Sequence, residues 1–304
     1  MHNNFVRTSL AILGLVGMGW FFGILYPVPS LEGRMLHIET GPVNVAAGTR
    51  PADMHKVMVS AVMSQGTITV PEDGWITNFT QEVRSTEQAD ARFTFVYDDL
   101  NEDPYCPGNP RPIFVMSLEK TPDLPFAPGY GYFVRRGTQL RAMVGFANFS
   151  AEDKHDVTAR ISLSFVPAAS DTVLGNAYPL FLNSVCDNYS LFAIPPKTHR
   201  FTQRLPHPFE IPFDGRITLI GSHGHRNLVE ILLTLNGDEL WRTSPIHLPD
   251  GTNLGNPIYK APFQGVLVKK GDKLNLTETY TNPGDMPGDA MSSMYIHILP
   301  DTDQ

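Results

Sequence analysis

Beyond residue 30 the apolar positions of this chain recur with a period of two, in short runs broken by proline or glycine. An extended strand points successive side chains to opposite faces, so such runs read as β-strands with one face buried. Predicted strands cover Trp75 to Val83, Ala91 to Tyr97, Pro112 to Leu118, Gln139 to Asn148, Thr158 to Val166, Arg216 to Gly221, Val229 to Leu235, Lys273 to Tyr280 and Ser293 to Leu299. No long stretch after residue 30 keeps the period of an amphipathic helix. The 26 prolines and 25 glycines are spread too evenly to mark one flexible linker and instead punctuate strands. The expectation is an all-β fold.

The one departure lies at the N-terminus, where Thr8 to Tyr26 runs for nineteen residues without a charge, after Arg7. At about 1.5 Å per residue a helix of that length approaches a membrane core of about 30 Å. The following YPVPSLEG has no A-x-A-like cleavage site, and no lipobox cysteine precedes the body. The segment is therefore read as a retained signal anchor, with a cleaved signal peptide as the alternative. The chain would be a single-pass protein of the cell inner membrane, in contact with the lipid bilayer through residues 8–26, its bulk on the periplasmic side. Gly19 and Gly23 make one small-xxx-small pair for helix packing.

An internal repeat organises the rest. ITVPEDGWITNF (68–79) echoes FEIPFDGRITLI (209–220), and FAPGYGYFVRRGTQLRAMVGFANF (126–149) echoes YKAPFQGVLVKKGDKLNLTETYTN (259–282). Each copy closes on an alternating strand, VTARISLSFVP in the first and SSMYIHILP in the second. Two elements repeated in one order predict a duplicated sandwich. The expected architecture is two tandem jelly-roll β-sandwich domains with an N-terminal transmembrane helix. Its parts are the anchor (1–31), a membrane-proximal segment (32–66), a first sandwich (67–170), a linker (171–194) and a second sandwich (195–304).

Candidate chemistry sits in the second copy. His223 and His225 lie one residue apart in ITLIGSHGHRN, so on a strand both imidazoles face one way, and Met291 in GDAMSSMYIHIL could add a thioether. Imidazole with thioether favours copper, Cu(I) in particular. On these motifs, together with AIPPKTHRF, the second copy resembles the copper type II, ascorbate-dependent monooxygenases, which include the peptidylglycine alpha-hydroxylating enzymes. That resemblance implies two consecutive jelly rolls with one copper each. It also implies that His223, His225 and Met291 ligate the oxygen-binding copper and that Tyr295 contacts substrate.

The chain departs from that pattern in the first copy. No histidine occurs between His55 and His155, and Glu82 and Arg84 stand where the repeat would place a His-x-His pair. Gly221 stands where the peptide-hydroxylating members keep an arginine. The electron-transfer copper is thus expected to be missing.

The remaining features alter the picture less. A formal charge of -8 excludes nucleic acid as a partner and gives no basic face for membranes. Cys106 and Cys186, the two cysteines, either form one long-range disulfide in an oxidising compartment or stay as reduced core thiols. His199 and His207 flank RFTQRLP and could approach the copper rim, while His297 reads as a surface residue. The acidic run Asp98, Asp99, Glu102 and Asp103 resembles a calcium loop in composition alone and reads as a solvated turn. PYCPGNPRP and FAPGYGYF are candidate docking loops, and N-x-S/T sequons begin at Asn78, Asn148, Asn188 and Asn275. The leading expectation is a membrane-anchored periplasmic accessory or structural subunit of a membrane protein complex, respiratory or photosynthetic, on a degenerate copper-monooxygenase scaffold. The alternative is a single-copper redox enzyme or a copper-handling protein.

Overall fold

Strand alternation dictates the observed architecture, seen in a computed structural model that describes residues 33–47, 62–84, 90–117, 125–148, 150–170, 174–186, 192–224, 227–245, 259–260 and 265–301. The first half contains β1 (Arg34–Val45), β2 (Val62–Thr69), β3 (Gly74–Arg84), β4 (Asp90–Glu102), β5 (Pro110–Ser117), β6 (Tyr130–Val134), β7 (Gln139–Ala147) and β8 (Lys154–Pro167). They form two antiparallel sheets, ordered β1-β8-β3-β6 and β2-β7-β4-β5. That is the strand order of a jelly roll, two Greek keys folded face to face. The short β9 (Gly175–Asn176) runs parallel to β6 and leads the chain onward.

The second half contains β10 (Tyr178–Asn183), β11 (Phe192–Ile194), β12 (Thr198–Arg204), β13 (Phe209–Glu210), β14 (Gly215–Gly224), β15 (Leu228–Leu235), β16 (Asp238–Thr243), β17 (Tyr259–Lys260), β18 (Val266–Val268), β19 (Lys273–Asn282), β20 (Gly288–Ala290) and β21 (Ser292–Pro300). Its sheets are β10-β21-β14, with β17 and β18 on the free edge of β14, and β12-β19-β15-β16, with β13 also on β19. Apart from the small β11-β20 pair, this is the strand order of the first half.

The repeat extends to single hydrogen bonds. Asp73 Oδ1 accepts the N–H of Arg136 at 2.7 Å, and Asp214 Oδ1 accepts that of Lys270 at 2.7 Å. The Gly137 and Gly271 N–H groups donate to Val70 O and Ile211 O at 2.9 and 2.8 Å. Both glycines have φ near +90° (85° and 90°), a turn conformation that L side chains resist. Asn148 and Asn282 are a matched pair too. Each is buried, with its Nδ2 donating to backbone carbonyls: Val45 and Glu152 for the first, Ile194, Pro195 and Met286 for the second.

The sheets begin earlier than the sequence boundaries suggested. Residues 34–45, expected as a membrane-proximal segment, pair along β8, and the stretch expected as a linker supplies β9, β10 and β11. Leu36, Ile38 and Val45 enter the first core, which explains the early start. Among the described residues no helix is long and apolar enough to cross a membrane, and the expected anchor (8–26) lies outside them.

β8 and β21, read as equivalent alternating strands, differ in environment. β8 alternates buried and more exposed positions over most of its length, whereas β21 is buried at every position from Ser292 to Leu299. Met294, Ile296 and Ile298 belong to the second core, and Tyr295 and Leu299 to the first. The first half lies across the outer face of β21, so a strand with only one apolar-looking face is covered on both.

Candidate functional site

β14 and β21 are antiparallel neighbours, with His223 opposite Ser293 and Gly221 opposite Tyr295. Met291 lies two residues before Ser293 and is 7% exposed, at the same end of the sheet as His223. Long side chains can reach between such diagonal positions. His223 is half-buried, and desolvation lowers its pKa to about 4, holding the ring in the neutral form a metal requires. His225 lies outside the described residues. Among the described residues no cluster of three His, Cys, Asp or Glu side chains forms a metal centre.

Tyr295, expected to meet a substrate, is 7% exposed and lies in the seam between the halves, where burial raises its phenol pKa. Gly221 has the complementary role: a Cβ there would lie 2.0 Å from the Tyr295 ring. Gly221→Ala is expected to cost about 1–3 kcal/mol by displacing that ring. Denaturant midpoints check this, and the cost should shrink in a chain that also carries Tyr295→Ala.

The seam is filled with aromatic contacts. Phe95 of β4 meets Phe181 of β10 edge-on at 5.7 Å, and Phe126 lies over His297 at 4.5 Å. His297, expected at the surface, is 3% exposed. Burial lowers its pKa from 6.5 to about 3, so its contribution to stability is full above 6.5 and is lost as pH falls toward 3. The cavity lined by Phe114, Phe181, Tyr295 and His297 measures about 10 Å³, room for at most about one water. Arg111 lies 4.1 Å over the Tyr178 ring and donates to Pro179 O.

The acidic run and the PYCPGNPRP loop serve this seam. Asp98 accepts the Tyr132 hydroxyl, the Asn101 amide and the Leu100 N–H, while Asp99 pairs with Arg141. Asp103 Oδ1 accepts the N–H groups of Tyr105 and Cys106, and desolvation raises its pKa to about 6. Tyr105 and Cys106 leave the first half and are buried in the second core. There the Tyr105 hydroxyl donates to His207 O, and Cys106 forms a disulfide with Cys186. His207 is thereby a stacking partner of Tyr105, and His199 is exposed.

A polar network inside the second core went unread in the sequence. Leu274, Leu276, Glu278 and Tyr280 alternate along β19, each fully buried. Glu278 Oε2 accepts the Ser184 and Tyr280 hydroxyls at 3.0 Å each, and Tyr280 also contacts the Ser292 hydroxyl at 3.0 Å. Oε1 is buried without a hydrogen bond, and desolvation raises the carboxyl pKa to about 7. A carboxylate at an inward position of an otherwise apolar strand was the available signal.

No protein-family model matches the chain, and no curated protein matches it. Among solved structures it is similar to the major capsid protein P2 from bacteriophage PM2, at 11% identity and a TM-score of 0.38, over 89% of this chain and 99% of that one. It is also similar to PNGase F, a glycosylasparaginase from Flavobacterium meningosepticum, at 10% identity and a TM-score of 0.43, over 88% and 97% of the two chains. A third similarity is to the structure of Sulfolobus turreted icosahedral virus, at 10% identity and a TM-score of 0.33, over 90% and 93%. These findings correct the resemblance to the copper monooxygenases, which rested on short motifs around His223 and Met291.

Proposed function

We propose that the protein is a non-catalytic docking body, an accessory or structural subunit of a membrane protein complex. In this reading residues 8–26 form a single-pass helix, and the two tandem jelly-roll domains stand on the periplasmic side as one block. The observation that carries it is the seam. The outer face of β21 is buried beneath the first half at Tyr295, His297 and Leu299. Filled, closely packed interfaces favour a fixed relative placement of two parts, which a docking body needs. Extraction from native membranes in mild detergent, followed by native mass measurement, tests the reading. A reproducible particle heavier than the 33.7 kDa chain with its micelle is expected, and a monomer without a stable membrane partner would overturn it.

A second reading, copper handling, is favoured by one observation: His223 and Met291 stand at the same end of neighbouring strands. His223, Met291 and His225 would hold Cu(I) through soft and borderline donors. Anaerobic Cu(I) loading tests it. About one tightly held copper in the wild type and none in His223→Ala is the expected result for this reading, and equal copper in both would sink it.

A further inference from the structure

The Cys106–Cys186 disulfide crosses the seam. Cys106 belongs to the β4–β5 loop of the first half and Cys186 to the segment after β10 of the second. The loop tip is fitted into its neighbour: Tyr105 is 1% exposed, its ring stacks on His207 at 5.1 Å, and Asn109 Nδ2 donates to Cys186 O at 2.9 Å. The two sulfurs differ in access. Cys106 is 3% exposed, whereas Cys186 is partly exposed beside the exposed Val185. Cys186 also has φ of +48°, a left-handed conformation that costs a non-glycine residue energy and that its neighbours must enforce. Attack by a thiolate needs access to one sulfur, and the partly exposed Cys186 offers it.

We propose that this disulfide is a redox latch that couples the two jelly rolls and that a dithiol reductant opens it. A thiolate of the dithiol attacks Cys186 Sγ, forming a mixed disulfide, and Cys106 leaves as a thiolate that takes up a proton. The second thiol of the dithiol then attacks the mixed disulfide and releases Cys186, which is protonated in turn. The dithiol ends as a disulfide, and the protein has gained two electrons and two protons. Without the bond, noncovalent packing such as the Tyr105 and Asn109 contacts retains the β4–β5 loop. Its tip can then withdraw and expose the apolar surface of the second core beneath Tyr105. The latch is independent of whether the body docks at a membrane.

Dithiothreitol applied to the full chain in detergent tests the proposal, with iodoacetamide labelling and amide hydrogen exchange as readouts. Both cysteines are expected to become alkylated while the β-sheet circular dichroism signal is retained, and exchange across residues 103–109 should rise about tenfold or more over the oxidised protein. Alkylation that occurs only together with loss of the β signal would overturn the latch. So would alkylation that leaves exchange across 103–109 unchanged. A chain carrying Cys106→Ala and Cys186→Ala gives the open state without reductant, and its exchange across 103–109 should match that of the reduced wild type.

Discussion

Replacing Cys106 and Cys186 together by alanine is expected to lower the midpoint of thermal unfolding by on the order of 10 °C. The bond spans a sequence separation of 80, and the chain entropy it removes from the unfolded state corresponds to about 4.5 kcal/mol. In a body of this size each kcal/mol moves the midpoint by about 2–4 °C. Much of the described structure between the cysteines is the first half from β5 onward, so the bond restrains the jelly roll that covers β21. Circular dichroism melts of oxidised wild type beside the double variant provide the check. Coincident melts would mean that noncovalent contacts at the seam hold the halves without help from the bond.

The second large effect concerns pH. Burial raises the pKa of Glu278 from 4.5 to about 7, so the folded protein retains a proton that the unfolded chain releases. Stability from this group is fully present below 4.5 and is lost as pH rises through 7, because the folded state binds more protons over that window. The swing is on the order of 3 kcal/mol. Glu278→Gln keeps a neutral side chain whose carbonyl can accept the Ser184 and Tyr280 hydroxyls at every pH. The stability gap between variant and wild type should therefore move about 2.5 kcal/mol in favour of the variant between about pH 5 and about pH 8. Urea unfolding at the two pH values measures it. A gap that stays constant would mean that Glu278 does not hold a buried proton.

These two effects involve residues that the sequence made legible to different degrees. The strands and the duplication could be read because period-two alternation and turn glycines are local signals, and the Asp73 and Asp214 turns show them operating identically in both halves. The first strand, β1, carries its apolar residues at Leu36, Ile38 and Val45 but breaks its alternation between Thr40 and Val43, where its pairing with β8 slips. The seam was illegible for a different reason. In the sequence Ser293, Tyr295 and His297 look like the solvent face of a strand, but residues of the first half, such as Phe126 over His297, cover that face. A short sequence motif has no access to such contacts, so HGH and a later methionine could suggest a copper site without showing what packs around it. Asn148 shows the same limit: read as part of a glycosylation sequon, its amide is buried and engaged with two carbonyls.

Glu278 was within reach, since its place in LNLTETY puts it on the inward face with Leu274, Leu276 and Tyr280. What the sequence did not contain was the identity of the network's other members, Ser184 on Glu278 and Ser292 on Tyr280, which arrive from distant positions in the chain.

If the two jelly rolls act as one body, joined by a filled seam and a disulfide, they unfold together. Scanning calorimetry of the oxidised full chain at neutral pH tests it most directly. One cooperative transition, with calorimetric and van't Hoff enthalpies in agreement, is the expected result. Two separated transitions would mean that each half unfolds without regard to the Phe126, Phe181 and Tyr295 contacts at the seam, and that the halves are not one body.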